Sequence, residues 1–266
     1  MDLHHRGLAA LLAAAALAAG GCGGDGGGDA APVTTAPDAG GVVGTDLDTS
    51  SAVVVDSVAD AGPGKALVVF AEGARDKDLR AMWSVMSAAS KERAGPSFGE
   101  FAERAGPDFV DTLGGFTEDF EVSMSVRTSA VSGVAAIDGR FVDPFTDVAG
   151  VEAFAAGAVK ERGKWLLEVL PPGALQLVSP DTQVASERPV VVVSAEGSAP
   201  ILDAGIWIDG KQYNSAAEGG SPTRLSLLAQ PDEGIGLGPH TLVAYAGLAG
   251  IGGTIPIANA WTFTSA

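Results

Sequence analysis

The chain has 266 residues, 46% of them hydrophobic, and a net charge of −17, enough material for one large or two smaller folded regions. Acidity without a basic patch argues against nucleic acid as a partner. The single cysteine excludes an internal disulfide.

The opening Met1-Asp2-Leu3-His4-His5-Arg6 is polar, and residues 8–19 are an almost pure Ala/Leu run. A run of about a dozen residues has the length of a signal-peptide apolar core and falls short of the roughly 20 that span a membrane. It leads into Leu17-Ala18-Ala19-Gly20-Gly21-Cys22, which resembles the bacterial lipoprotein signal. In that family the peptide is cut just before a cysteine that carries diacylglycerol; Ala19 stands where the usual pattern has leucine. The resemblance implies a signal peptide over 1–21, lipidation at Cys22 and an extracytoplasmic protein anchored to the cell membrane by its N-terminal lipid. The several acyl chains of that class make such an anchor stable, where a single chain is marginal. An ordinary secretory signal, with Cys22 an incidental thiol and the protein secreted, is the other reading.

Residues 22–62 hold seven aspartates and no Lys or Arg, in a Gly, Ala, Thr and Pro background. Such a segment buries too little apolar surface to offset ordering, so a disordered tether is expected. At about 40 residues its root-mean-square reach is roughly 35 Å. Val53-Val54-Val55 is an apolar island, either a short edge strand or a docking set.

Pro63 is well placed to open a helix, and Ala66, Val69, Phe70 and Gly73 follow at helical spacing. Asp78 can cap a second helix through Leu79, Met82, Trp83 and Met86. Ser97 and Glu100 form a capping box for a third, with Phe98 and Phe101. Pro107 and Gly114-Gly115 are expected to end the helical run. Phe120, Val122, Met124 and Val126 then alternate with polar residues, as in a half-buried strand. Residues 131–137 and 140–142 flank Asp138-Gly139, a hairpin signal. Residues 148–159 read as a long strand that Glu161-Arg162-Gly163 turns into 164–170.

Helices followed by an antiparallel meander, ending in Lys160-Glu161-Arg162-Gly163-Lys164-Trp165, resemble the NTF2-like (SnoaL-like) α+β cone over 63–172. The opening residues 66–70 and the Trp83-bearing second helix fit as well. The resemblance implies helices against a curved antiparallel sheet around a pocket, and makes Phe70, Trp83, Phe101, Phe154 and Trp165 the candidate pocket lining. Core filling is the other reading of these aromatics. Enzymes on this fold usually place Asp, His, Tyr or Arg in the cone; 63–172 has no His or Tyr, and Asp76 with Arg80 reads as a helical i, i+4 pair. No catalytic residue is therefore assigned. Neither Ser-x-x-Lys nor Lys-Thr-Gly occurs, which excludes a transpeptidase on motif grounds.

Beyond Pro171-Pro172-Gly173, a hinge-like break, helix signals vanish. Strands are expected over 175–178, 189–195, 205–208, 211–213, 224–228, 241–246 and 258–264, with Asp209-Gly210 a hairpin turn and 247–256 a loose glycine-rich stretch. About seven short strands in about 90 residues predict an all-β sandwich over 175–266. Ile206-Trp207-Ile208-Asp209-Gly210, Leu237-Gly238-Pro239-His240-Thr241 and Ala260-Trp261-Thr262-Phe263-Thr264 resemble a bacterial Ig-like, surface-layer-type module. His240 has no acid within five residues and reads as a turn residue. No zinc or calcium pattern appears, so neither cofactor nor metal is expected. The function these features predict is a non-enzymatic binding or adaptor module at the cell envelope, taking a protein or a glycan. The alternatives are a small-molecule-binding or enzymatic cone and a purely structural surface spacer.

Overall fold

The structure, a computed structural model, describes residues 54–55, 62–213, 215–251 and 253–266. The expected signal peptide, Cys22 and all of the tether but Val54, Val55 and Gly62 lie outside the described residues. Val54–Val55 is a two-residue strand, β1, so the described part of the apolar island is an edge strand.

Helix α1 (Pro63–Arg75) begins on the predicted proline and buries Ala66, Leu67, Phe70, Ala71 and Ala74. A Cβ on Gly73 would come within 2.7 Å of Met82 Cγ, so the absent side chain sets how closely α1 and α2 (Leu79–Ser84) approach. Asp78 caps α2, accepting the backbone N–H of Arg80 and of Ala81 at 3.0 Å each. That helix ends before Met86, which bridges to Leu167 instead, and Ser87 caps a further helix, α3 (Ala88–Ala94). The capping box of Ser97 and Glu100 opens α4 (Phe98–Glu103) as expected. Pro107 does not break the run. It lies in the first turn of α5 (Ala105–Leu113), where a missing N–H has no intrahelical acceptor to lose. Asp76 pairs with Arg75 (Nε to Oδ1, 2.9 Å) rather than with Arg80, whose guanidinium lies 4.3 Å above the Phe98 ring.

Strands β1, β2 (Glu121–Arg127), β3 (Ser132–Val142), β4 (Ala149–Glu161) and β5 (Lys164–Glu168) form one antiparallel sheet in that order. Asp138-Gly139 is not a turn: it runs straight through β3, paired with Ala153 and Glu152. The glycine answers a close crossing instead, since a Cβ there would sit 2.5 Å from Phe120 Cα. The chain reverses at 143–148, where Asp143 N–H donates to Val148 O at 3.0 Å. Arg162 and Gly163 do turn β4 into β5, with φ of 50° and 82°, the paired positive values of a tight hairpin.

Past Pro171-Pro172-Gly173 every regular element is a strand: β6 (Gly173–Ser179), β7 (Gln183–Val184), β8 (Val191–Gly197), β9 (Ile201–Ile208), β10 (Lys211–Tyr213), β11 (Ser215–Ser221), β12 (Arg224–Ala229), β13 (Gly238–Gly250) and β14 (Gly253–Ser265). They form two sheets, β10-β9-β13-β14-β7 and β11-β12-β8-β6. Asp209-Gly210 makes the expected turn, with φ of 49° and 74°. The stretch 247–256 is not loose: the β13–β14 ladder continues from Gly247 opposite Pro256 to Gly250 opposite Gly253. His240 lies on β13, not in a turn.

The described residues form one compact unit. Three cores run through it in series. Phe70, Met82, Phe101, Leu113, Ala135, Ile137, Ala156 and Ala158 join the helices to one face of the first sheet. Val191, Val193, Leu227, Ile206, Leu242, Ala244 and Phe263 join the two later sheets. Between these cores the other face of the first sheet (Met124, Val126, Val134, Ala136, Ala153, Ala155) meets Trp207, Val243, Tyr245 and Ala260. Small side chains on one side receive bulky rings on the other. The layers are therefore helices, first sheet, five-stranded sheet and four-stranded sheet, and the middle two are apolar on both faces. Among the described residues no helix is long and apolar enough to cross a membrane.

Candidate functional site

The five aromatics expected to line a pocket all belong to the helix-side core. Phe70 and Phe101 are fully buried; Trp83, Phe154 and Trp165 are half-buried around them. Trp83 and Phe101 come together, ring centroids 5.2 Å apart, and Phe98 joins them at 6.4 and 6.5 Å. Phe70 is edge-on to Phe109 instead, at 5.1 Å. The open faces of the half-buried rings carry cations: Lys91 Nζ lies 5.3 Å from Trp83 and Lys160 Nζ 5.8 Å from Trp165. Such placement suits the negative face of an aromatic ring.

Three polar constellations escaped the sequence reading, because each joins residues far apart in the chain. The first surrounds Glu168, 3% exposed at the end of β5. Ser87 Oγ donates to its Oε1, while Ser90 Oγ (3.3 Å) and the Arg93 guanidinium donate to its Oε2. Arg93 also donates to Leu170 O, and Ser90 Oγ accepts the N–H of Val169 at 3.0 Å. The cluster fastens α3 to the sheet edge. A glutamate inside the apolar run Trp165-Leu166-Leu167-Glu168-Val169-Leu170 was its one sequence signal.

The second runs Asp209, His240, Ser265. His240 Nδ1 lies 2.7 Å from Asp209 Oδ2 and Nε2 lies 3.0 Å from Ser265 Oγ. This is the residue order of a hydrolytic triad, but the serine faces the wrong way for one. Ser265 is 2% exposed, and its hydroxyl proton goes to Gly236 O at 2.6 Å rather than to the imidazole. A triad needs that proton on the histidine side and the oxygen open to substrate. The line works as a strut. Asp209 Oδ1 also takes the Thr241 N–H at 2.9 Å, and Thr241 Oγ1 donates to Asp138 Oδ2 of the first sheet at 2.5 Å, so it ties a turn, β13, β14 and the layer beyond together.

The third crosses the same joint elsewhere. Thr128 Oγ1 donates to Tyr245 OH at 3.1 Å, and that hydroxyl donates to Asp203 Oδ2 at 3.3 Å. Burial pushes the Asp203 carboxyl above the usual carboxylate range, partly offset by the Tyr245 hydrogen bond. Burial, with the Asp203 charge beside it, drives the tyrosine well above its ordinary range.

Among the described residues, exposed apolar side chains gather at one hairpin tip. Residues 144–151, the tip of the β3–β4 hairpin, are all exposed. Phe145 is 79% exposed, and Val148 and Val151 are each 52% exposed. Backbone pairing of Val142 with Ala149 and of Phe141 with Gly150 holds the base of the tip. Among the described residues no three His, Cys, Asp or Glu side chains gather as metal ligands do.

No protein-family model matches the chain, and no curated protein matches it. What the geometry defines is a class of architecture, a helix-backed antiparallel sheet joined face to face to a two-sheet β region, with an apolar hairpin tip at its surface.

Proposed function

We propose that this chain is an extracytoplasmic protein anchored through lipid on Cys22, with an NTF2-like cone over 63–172 and an Ig-like module over 175–266, acting as a non-enzymatic binding or adaptor module of the cell envelope. Helices packed on a meander support the first resemblance. The strand orders β11-β12-β8-β6 and β10-β9-β13-β14-β7 support the second, being those of an Ig-type sandwich read in chain order. Trp207 departs from that pattern: it lies on the third long strand, as expected, but faces the first sheet rather than the inter-sheet core.

The observation that carries the binding role is the hairpin tip. A lone exposed apolar residue is ordinary on any surface. Phe145, Val148 and Val151 expose three large apolar side chains within seven residues of one braced hairpin, a concentration that favours an interaction site and that a purely structural spacer has no use for. The test places a photo-crosslinking residue at Phe145 in cells making the full chain, with the exposed Arg162 as control. Specific adducts from position 145 alone, lost on Val148→Asp, are expected; equal labelling at both positions sinks the binding role. Mass spectrometry of the membrane fraction tests the anchor separately, since an unmodified N-terminus at a residue other than Cys22 refutes it.

A further inference from the structure

Asp203 is placed where a carboxylate is poorly served. It sits on β9 at the joint between the first sheet and the five-stranded sheet. Its Oδ2 receives one hydroxyl, from Tyr245, at 3.3 Å. Its Oδ1 is buried and accepts nothing among the described residues. That oxygen is pressed against β13, where a Cβ on Gly247 would collide with it and with Thr254, so the bare glycine is what admits it. The hydroxyl that serves Oδ2 is held from across the joint by Thr128, and Thr128 is in turn bound to Ser132, which is 2.6 Å from Ser129. The chain of hydroxyls therefore begins on the β2–β3 turn of one sheet and ends on Asp203 of the next.

We propose that Asp203 is a proton-sensitive fastener of this joint, holding the two sheets together more firmly in acidic than in neutral surroundings. An ionised carboxylate needs several donors, and this one has one long side-chain hydrogen bond and the N–H of its own backbone. The neutral acid needs fewer donors and costs less in this half-buried, crowded site. The groups that face it are Tyr245 from β13, the backbone at Gly247, Thr254 of β14, and through the tyrosine the hydroxyls of Thr128, Ser129 and Ser132; Tyr245 is the one titratable member of that set. Burial, not a neighbouring charge, is the leading cause of the upward shift of Asp203. A folded value above the unfolded one gives stability that is complete below the ordinary carboxylate range and is lost as pH rises through the folded value. The joint thus weakens on going from acid to neutral pH.

The test compares thermal unfolding of the full chain with that of Asp203→Asn between about pH 4 and about pH 8, a range starting at the ordinary carboxylate value. The two are expected to melt together at the acid end, with the variant higher by roughly 2–4 °C at the neutral end. Parallel profiles, or a variant lower at every pH, overturn the proposal. Infrared difference spectra give a readout that does not depend on the variant folding. A protonated carboxyl band in the wild type that titrates above the exposed acids is expected, and it should move in Tyr245→Phe. A wild-type spectrum whose carboxyl bands all titrate in the ordinary range overturns the proposal.

Discussion

Glu168 in the helix-backed half and Asp203 in the two-sheet half are both acids carried on strands into apolar surroundings, and the two halves treat them differently. Glu168 is met by two serine hydroxyls and an arginine, so its charge is matched and every contact pins α3 to the sheet. Asp203 is met by one tyrosine and has an oxygen that accepts nothing among the described residues. A buried charge that is paired and bonded is costly to disturb, whereas one that is poorly bonded is costly to keep. One carboxylate therefore holds its half together, and the other makes the joint between halves sensitive to conditions.

The sharpest way to break this contrast is Arg93→Ala, which strands the Glu168 charge in the interior. A loss of about 3–5 kcal/mol by chemical denaturation is expected, and an effect under about 1 kcal/mol would show that the serines suffice. Glu168→Gln keeps an acceptor but discards the match to Arg93, and should cost about 1–3 kcal/mol. Gly247→Ala forces a methyl onto Asp203 and Thr254. Overpacking of that kind costs about 1–3 kcal/mol, and Asp203→Ala in the same chain should recover part of it. Asp203→Asn carries the opposite sign from Glu168→Gln: a gain of about 1 kcal/mol at neutral pH, the low end of what an unsatisfied buried polar group costs. The same sign for both amides would erase the comparison. Smallest of all, Val148→Asp should leave the unfolding midpoint unchanged within about 0.5 kcal/mol while abolishing crosslinking from position 145.

Local signals were legible wherever a few adjacent residues decide the backbone. Pro63, Asp78, the Ser97–Glu100 box, Arg162-Gly163 and Asp209-Gly210 all act as read. Reading failed where a distant neighbour decides. Asp138-Gly139 has the composition of a turn, yet Phe120 crosses the glycine and β4 pairs along its whole length. The glycines of 247–256 suggest slack, yet Gly247 is what admits Asp203, and Gly157 of β4 is what lets Pro256 of β14 approach. The joint itself left a trace: residues 134–137, 153–158 and 242–246 lack polar alternation, as strands covered on both faces do. A run of that kind says that both faces are covered without saying by what.

The sequence by itself settles this protein's charge, its strand and helix inventory in outline, and the resemblance of its first 22 residues to an export signal, because these depend on composition and near neighbours. Only the tertiary structure decides that His240 braces a turn, that Glu168 anchors a helix, and that Trp207 and Tyr245 pack on a face of alanine, valine and methionine on another sheet. Each of those roles depends on a partner tens of residues away or more, and nothing local to either residue encodes which partner the packed sheets bring near.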